Sequence, residues 1–186
     1  SDVCSSDLKE FAVDAIFPVL HGTFCEDGTL QGLLDLAEIP YVGCGVLASS
    51  VGMDKEVAKR VARDAGIPIV PFVTVRDHEW KRDADGVRER VQLELGFPVF
   101  VKPANSGSSV GVHKVKDAGS MAAAMADAFL YDTKVLIERG INAREIEMSV
   151  LESPKYGNLP EVSIPGEIVP THEFYSYDAK YLDEDG

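Results

Sequence analysis

The sequence predicts a mixed fold of α/β and α+β organisation, on the basis of two observations. Near the N-terminus, an apolar run over residues 12–20 is followed by a loop and by leucines at helical spacing, which is the order of an α/β unit. From residue 99 onward, two strands joined by a Gly/Ser loop precede a helix and two further strands. This order is typical of α+β organisation rather than of a repeated βαβ sheet.

The first elements follow from apolar spacing. Residues 12–20 predict a buried strand that ends in a loop. From Thr29 the apolar residues recur at helical spacing, and Glu26 and Asp27 lie near the helix N-terminus, where the macrodipole favours acids. We therefore expect a strand, a loop and a helix in that order.

The next elements are marked by capping residues and glycine. Residues 40–43 predict a brief strand, and Ser49 or Ser50 is suited to cap a turn that leads into a second helix. This helix is expected over about residues 54–65, with its apolar residues on one face, and Gly66 ends it.

The remaining elements are predicted in the same way. Residues 67–75 predict a strand whose prolines indicate a sheet edge or a strand start, and a charged helical stretch runs to about Leu95. Ser120 is suited to cap an Ala/Met-rich helix that ends at about Tyr131. Further strands are expected at 99–103, through Val110, Val112 and Val115, at 135–138 and at 146–151.

Composition and charge exclude several classes of partner. The 186 residues include 18 Lys and Arg against 31 Asp and Glu, a formal net charge of −13 that disfavours nucleic-acid binding through a general basic face. The longest stretch without a charged residue, 39–53, has 15 residues and is too short to span a bilayer. Three cysteines without Cys-x-x-Cys spacing suggest neither a disulfide framework nor a zinc site, so we expect a cytoplasmic protein that binds neither nucleic acid nor membranes.

The segment from Lys102 to Gly111 carries the strongest chemical signal. A lysine at the end of a buried strand needs an anionic partner, because a charge is costly in an apolar environment. The Gly/Ser loop that follows offers backbone N–H groups and hydroxyls, as phosphate sites do, although the order differs from that of a Walker A loop. The alternative is a Gly/Ser hairpin with a surface lysine.

Lys55 provides a second candidate phosphate contact. It opens a predicted helix, where the positive partial charge of the N-terminus disfavours a cation, and a bound anion would remove that conflict. The alternative is a solvated lysine that the helix tolerates at little cost.

The end of the predicted strand 135–138 suggests a nucleotide contact. Glu138 and Arg139 are followed by the irregular, apolar Ile141, and Glu145 begins a further strand. Exposed main chain at such a hinge is able to read an adenine edge while a carboxylate binds ribose hydroxyls. The alternative is that these acids are ordinary surface residues at strand ends.

Two other segments are candidates for substrate contact. Residues 174–181 place four aromatics and Lys180 in eight positions, which suits a loop that covers a site and excludes water. An ordinary hairpin or a partner interface would have the same composition. His21 follows an apolar strand, where α/β proteins bind ligands, and is either a ligand contact or a structural histidine.

Together, seven ordered blocks between residues 14 and 181 resemble the D-alanine-D-alanine ligases of the ATP-grasp superfamily. The resemblance implies an ATP-grasp fold with part of a preceding Rossmann-like, pre-ATP-grasp domain. One departure is Cys25, where the family usually has glycine, and a small side chain is tolerable there if the local φ is negative. The blocks are His21-Gly22-x-x-x-Glu26-Asp27-Gly28-Thr29-x-Gln31-Gly32, Pro40-Tyr41-x-Gly43, Met53-Asp54-Lys55, Val101-Lys102-Pro103-x-x-x-Gly107-Ser108-Ser109-Val110-Gly111, Ile137-Glu138, Pro165-Gly166-Glu167-Ile168 and Phe174-Tyr175-x-Tyr177-x-Ala179-Lys180-Tyr181.

The resemblance also implies an activity and residue roles. The family uses ATP and Mg²⁺ to phosphorylate the carboxylate of one D-alanine, and the amine of a second attacks the acyl phosphate to give the dipeptide for peptidoglycan. By matched position, the implied ATP contacts are Lys55 and Lys102 to phosphates, Glu138, Arg139 and Ile141 to adenine, Glu145 to ribose and Lys180 to the transferring phosphate. The implied substrate-site residues are Ser108, Tyr181 and His21.

The resemblance further implies how the chain is divided. Residues 1–8 look non-native, 9–52 match the end of the pre-ATP-grasp domain, 53–145 a central ATP-grasp subdomain, and 146–186 the start of a C-terminal subdomain with its covering loop. The metal ligands of the family are expected beyond Gly186, as is its catalytic arginine, so we expect the chain alone to be inactive. The resemblance also implies that the complete protein is a homodimer.

The identity of the acceptor is predicted from the last of the seven blocks. Ala179-Lys180-Tyr181 favours an amine acceptor over D-lactate, because D-alanine-D-lactate ligases lack this ending. The alternative functions are those of another ATP-grasp carboxylate-amine ligase, or of a truncated nucleotide-binding module without catalysis.

Overall fold

The computed structural model describes residues 12–155 and 157–169. The chain divides after Pro68 into two compact units. The predicted aromatic covering segment, including Lys180 and Tyr181, lies outside the described residues.

The described residues of the first unit form three helices. They are α1 (Thr29–Leu36), α2 (Val46–Met53) and α3 (Lys55–Asp64). The predicted helices from residue 29 and over about 54–65 are thus confirmed, and Gly66, with φ of +78°, follows the end of α3 as expected.

The expected serine cap is wrong, because Ser49 and Ser50 lie inside α2. Their hydroxyls instead donate to backbone carbonyls, Ser49 to Cys44 at 3.2 Å and Ser50 to Asp27 at 2.7 Å. Sequence spacing did not predict α2, since its apolar residues do not form one stripe.

The predicted strand over residues 12–20 is reduced to an isolated parallel bridge between Ile16 and Tyr41. The Ile16 N–H donates to the Pro40 carbonyl at 2.8 Å, and the Val42 N–H donates to the Ile16 carbonyl at 2.9 Å. Phe17 remains 71% exposed. The apolar run is therefore not buried, because the described residues supply no further strand beside it.

The second unit is built on a four-stranded antiparallel sheet in the order β1-β4-β2-β3. Its elements are β1 (Phe72–Arg76), α4 (Asp77–Arg82), α5 (Ala84–Glu94), β2 (Val99–Pro103), β3 (His113–Val115), α6 (Met121–Tyr131) and β4 (Lys134–Arg139). The α+β organisation is confirmed. The edge position of β1 agrees with the prolines that precede it.

Several features of this unit differ from expectation, and β1 begins at Phe72 rather than at residue 67. The charged stretch to Leu95 forms two helices rather than one. The strand predicted through Val110 begins only at His113, because the preceding residues form turns. The Ser120 side chain does not cap α6. Its hydroxyl donates to the Asp117 carbonyl at 3.0 Å, and its N–H donates to the Asp117 carboxylate at 3.0 Å.

One face of the sheet forms the core with α5 and α6. Alternate residues of the strands point to this face, and the register pairs Val99 with Val115 and Val101 with Ile137. The helices and the residue after α5 add seven apolar side chains to the same buried cluster. They are Val87, Val91, Leu95, Met121, Ala124, Met125 and Ala128. The other face is therefore the one on which Phe100, Lys102 and Glu138 lie.

The last described part forms two short antiparallel pairs. β5 (Glu145–Glu147) pairs with β8 (Gly166–Ile168), and β6 (Val150–Leu151) pairs with β7 (Glu161–Val162). The single strand expected over 146–151 is thus divided in two, and its alternating apolar residues stay largely exposed.

Among the residues with described positions, no helix is both long enough and apolar enough to cross a membrane.

Candidate active site

The central feature of the site is an ion pair between two neighbouring strands. Lys102 is the fourth residue of β2 and Glu138 the fifth of β4, and their side chains form a hydrogen-bonded salt bridge across 36 residues of sequence. The carboxylate side chain is 9% exposed and the lysine side chain 27%. The anion that the sequence demands for Lys102 is thus supplied here by a carboxylate of the same sheet.

The register explains why these two side chains meet. Phe100 lies directly opposite Glu138, and Lys102 lies opposite Leu136, so all four side chains point to the sheet face away from α5 and α6. Leu136 is fully buried, and the Lys102 ammonium lies 5.6 Å from the centroid of the Phe100 ring. The face therefore has an apolar floor, and the Lys102 ammonium and the Glu138 carboxylate are paired on it.

Lys114 belongs to the same face. It is paired in register with Phe100 on the side away from Glu138, and it is partly buried. Sequence reasoning did not select Lys114 or Phe100. The signal that could have found them is the period-two alternation of β2 and β3, which places every second residue on the face of Lys102.

The Gly/Ser loop after β2 has an unusual backbone. Ser108 and Ser109 have φ of +50° and +60°, a region that side chains other than glycine adopt at a cost of about 1–2 kcal/mol each. At the base of the loop, the N–H and side-chain amide of Asn105 each donate to the Asp132 carboxylate at 2.8 Å. The hydrogen bonds between Asn105 and Asp132 hold the start of the loop, and the residues with strained backbone, Ser108 and Ser109, follow. Strained backbone of this kind is common at functional sites.

Gly111 closes this loop under a steric constraint. Its φ is +67°, and a Cβ atom there would lie 2.5 Å from the ring of Tyr131 and 2.9 Å from the side chain of Pro103. Two separate features favour glycine at this position: its positive φ, and the close approach of side chains from α6 and β2.

The last residue of β4 and the segment after it combine structural and exposed groups. The Arg139 guanidinium donates to the carbonyls of Leu95, at 2.9 Å, and Glu94, at 3.0 Å, at the C-terminus of α5. Ile141 is 54% exposed, and Glu145 begins β5. An apolar side chain at the end of this strand is suited to contact a flat ring, whereas the Arg139 side chain already has partners in the fold.

In the first unit, Lys55 is the first residue of α3, as predicted. The preceding Asp54 is the N-cap, and its carboxylate accepts from the N–H groups of Glu56 and Val57, each at 3.1 Å. The cap places a negative charge beside the helix end and offsets the unfavourable position of the Lys55 cation.

In the loop that begins with exposed His21, acidic side chains accept hydrogen bonds from backbone N–H groups. The Asp27 carboxylate accepts from the N–H groups of Phe24, at 2.8 Å, and Thr29, at 3.0 Å. Partial burial raises the pKa of Asp27, but these hydrogen bonds together outweigh it and hold the pKa below its usual value. Cys25 is not among the described residues with positive φ, so its side chain is tolerated where the family usually has glycine.

The structure thus brings Lys102 and Glu138 together at the ends of neighbouring strands, beside the segment that leads to Arg139 and Ile141. Ser108 lies in the loop that leaves the same strand as Lys102. His21 and Lys55 belong to the other compact unit. Among described residues, no group of three His, Cys, Asp or Glu side chains is able to hold a metal ion.

Solved structures define the class of this fold and site. The chain superposes on the D-alanine-D-alanine ligase from Coxiella burnetii with a TM-score of 0.77 and 39% identity, covering 87% of this chain and 46% of that one. It also superposes on the VanG D-Ala:D-Ser ligase from Enterococcus faecalis, with a TM-score of 0.78 and 37% identity over 94% of this chain and 48% of that one. The fold is therefore of the ATP-grasp class, as the sequence predicts.

The sequence relationship narrows this class to a family. Residues 61–186 match the family model described as "D-ala D-ala ligase C-terminus", and residues 3–44 match "D-ala D-ala ligase N-terminus". The D-alanine–D-alanine ligase of Caldicellulosiruptor bescii is 55% identical over 171 residues, 92% of this chain and 46% of that protein. The chain belongs to the D-Ala-D-Ala ligase family and spans about half the length of the curated relatives it matches.

Proposed function

We propose that the full-length protein containing this chain is a cytoplasmic enzyme that joins two D-alanines, with ATP, into D-alanyl-D-alanine for peptidoglycan. The reaction proceeds through an acyl phosphate on the first D-alanine. The observation that carries the proposal is the Lys102–Glu138 pair on one sheet face, beside the strained Gly/Ser loop. Family membership and relatives named as D-alanine–D-alanine ligases support it.

The assignment of the nucleotide site starts from the charges on that face. We assign Lys102 to the ATP phosphates, because cations that neutralise phosphate charge lower the barrier to transfer. Lys55, which belongs to the other compact unit, is assigned to the phosphates by its sequence match. Glu138 and Ile141 contact adenine, and Glu145 binds the ribose hydroxyls. The contribution of Arg139 to the adenine site comes from its main chain, since its guanidinium bonds to the end of α5.

The D-alanine site uses residues of the loops. Ser108 is part of a hydrogen-bonded group with Tyr181 that positions the first D-alanine and the covering loop, His21 lies at the substrate, and Lys180 contacts the transferring phosphate. The covering loop excludes water, which would hydrolyse an acyl phosphate. Lys180 and Tyr181 are assigned by sequence match, since they fall outside the described residues.

Mg²⁺ is the metal expected for the family, but the described residues do not fit it. They contain no group of three acidic, histidine or cysteine side chains able to hold a cation. We place its ligands beyond Gly186 and derive no step through it. We also propose that the domains comprise residues 9–52, 53–145 and 146–186. Residues 1–8 are proposed to be non-native, and the complete protein is proposed to be a homodimer.

The acceptor amine is D-alanine, with D-serine as the second candidate. The likeness to a D-Ala:D-Ser ligase at 37% identity is the observation that favours D-serine. Eight curated relatives at 50–55% identity are named for D-alanine, which is why we place D-alanine first.

The test is ATP-dependent phosphate release by the full-length protein encoded by the gene that contains this sequence. We expect release with D-alanine, none with L-alanine, no increase on adding D-lactate, and a dipeptide product identified by mass. A dominant D-alanyl-D-serine product in a D-alanine and D-serine mixture would favour the second acceptor. Absence of release with D-alanine, alone or mixed with D-serine, from a folded protein that binds ATP would refute the ligase assignment.

The 186-residue chain serves as a matched control in the same assay. It carries Lys102 and Glu138 but spans about half the length of the relatives, so we expect no release above background. Full turnover by this chain would contradict the assignment of catalytic and metal-binding residues beyond Gly186.

A further inference from the structure

We propose that Phe100 is a positioning residue that holds the Lys102 ammonium in place for the ATP phosphates through a cation–π contact. The inference rests on the proposed nucleotide site and adds a residue to it. The ammonium lies 5.6 Å from the ring centroid, within the distance of about 6 Å at which such contacts are favourable.

The contact follows from the register of the sheet. Phe100 and Lys102 are two residues apart on β2, so both side chains point to the face away from the helices. Glu138 lies directly opposite Phe100 on β4. The ring therefore lies next to both members of the ion pair and is fixed by the strand rather than by a loop.

The ring and the carboxylate act differently on a bound phosphate. Glu138 attracts the ammonium but repels any phosphate that approaches it, since both are anions. Phe100 attracts the ammonium with the negative face of an uncharged ring, and it adds no net charge to repel the phosphate. The ring is thus the partner that the ammonium retains when it shifts from Glu138 towards the nucleotide.

Restricting the lysine also matters for affinity. The Lys102 side chain has four rotatable bonds, and holding it in one region before phosphate binds reduces the entropy that binding must offset. Its side chain is 27% exposed, so the contact is only partly screened by water.

The experiment is a double-mutant cycle on the full-length protein, with ATP and with inorganic tripolyphosphate as ligands. The variants are Phe100→Leu, Lys102→Met and the double change, with Phe100→Tyr as the conservative control that keeps a ring. Tripolyphosphate has no base, so direct stacking on Phe100 does not contribute to its binding. Calorimetry measures each Kd, and thermal unfolding confirms that each variant is folded.

We expect Phe100→Leu to weaken both ligands about two- to fivefold when Lys102 is present, and to change tripolyphosphate binding less than about 1.5-fold in the Lys102→Met background. Phe100→Tyr should bind both ligands nearly as the unchanged protein does. If Phe100→Leu does not fold, Phe100→Met removes the ring with an unbranched side chain that adapts to irregular gaps, and gives the same comparison.

Two results would overturn the inference while leaving the nucleotide site intact. One is an equal loss from Phe100→Leu with and without Lys102, and the other is a loss confined to ATP, which would show that the ring contacts the base. Failure of the unchanged protein to bind either ligand would instead refute the nucleotide site itself, and this inference with it.

Discussion

Replacing Gly111 with alanine tests how the Gly/Ser loop is held against the rest of its unit. The residue has φ of +67°, and the new Cβ would lie 2.5 Å from the Tyr131 ring and 2.9 Å from Pro103. Two separate costs follow, one from the backbone conformation and one from steric overlap. The loop with Ser108 must shift, or the side chains of Tyr131 and Pro103 must move.

The two costs can be separated with Gly96, which has almost the same φ, +69°, but no atom within 4 Å of the position that a Cβ would take. An alanine in the left-handed region costs about 1–2 kcal/mol at either position. Overpacking adds about 1–3 kcal/mol at Gly111 alone. We therefore expect Gly111→Ala to lower the free energy of unfolding by about 2–5 kcal/mol and Gly96→Ala by about 1–2 kcal/mol.

The assay is urea unfolding followed by the fluorescence of Trp80. This is the only tryptophan of the 186 residues, and it packs against the core of the unit that contains both glycines. The effect of alanine on the unfolded chain is common to both variants and cancels in their difference. Equal losses from the two substitutions would refute the close approach of Tyr131 and Pro103 to Gly111.

Three further predictions concern single contacts. Glu138→Leu leaves the Lys102 ammonium without its carboxylate and should lower the free energy of unfolding by about 1–3 kcal/mol, less than for a fully buried pair because Lys102 reaches solvent. Adding Lys102→Met should restore part of this loss in urea unfolding, and a double variant less stable than Glu138→Leu would contradict the pairing. Arg144 donates to the Glu167 carboxylate at 2.6 and 2.8 Å and lowers its pKa, so Arg144→Gln should raise the pKa of Glu167 towards its usual value in an NMR titration. Because the pKa of Glu167 is lower in the folded than in the unfolded state, ionised Glu167 stabilises the β5–β8 pair at neutral pH. This contribution is lost as the pH falls through the lowered pKa. An unchanged Glu167 titration in Arg144→Gln would exclude the contact. Asp54→Ala removes the cap of α3 and should cost about 0.5–2 kcal/mol by thermal unfolding, whereas Asp54→Ser should retain most of the stability, and equal losses would show that the cap is not responsible.

Much of the local structure was predictable because it depends on neighbours in sequence. The helix over about 54–65 is marked by its apolar stripe and by Gly66, and it forms as α3. The strands at 99–103 and 135–138 are short apolar runs bounded by turns, and they form as β2 and β4. The prolines of residues 67–75 indicated a sheet edge or a strand start, and β1 lies at the edge of its sheet.

Two of the misses have reasons that a local apolar pattern does not carry. α2 has no single apolar stripe, and its serines bond to distant or preceding carbonyls rather than capping a helix. The apolar run 12–20 reads as a buried strand, yet burial requires neighbouring strands that the described residues do not supply.

The candidate site shows the same division. The residue types at Lys102 and Glu138 were selected from the sequence, each with an alternative as a surface residue. Their salt bridge was not, because it depends on the antiparallel register of β2 and β4. The hydrogen bond from the Arg139 guanidinium to the end of α5 is equally non-local, since it joins residues 44 positions apart.

The sequence by itself determined the family and the main helices and strands, and it selected candidate residues for phosphate contact, because spacing, charge and residue type are local properties of the chain. Only the tertiary structure decided that Glu138 is the anion beside Lys102, that Phe100 lies next to both, and that a side chain at Gly111 would overlap Tyr131 and Pro103. Strand order and register bring together side chains that are far apart in sequence, and no local pattern specifies which strands will pair.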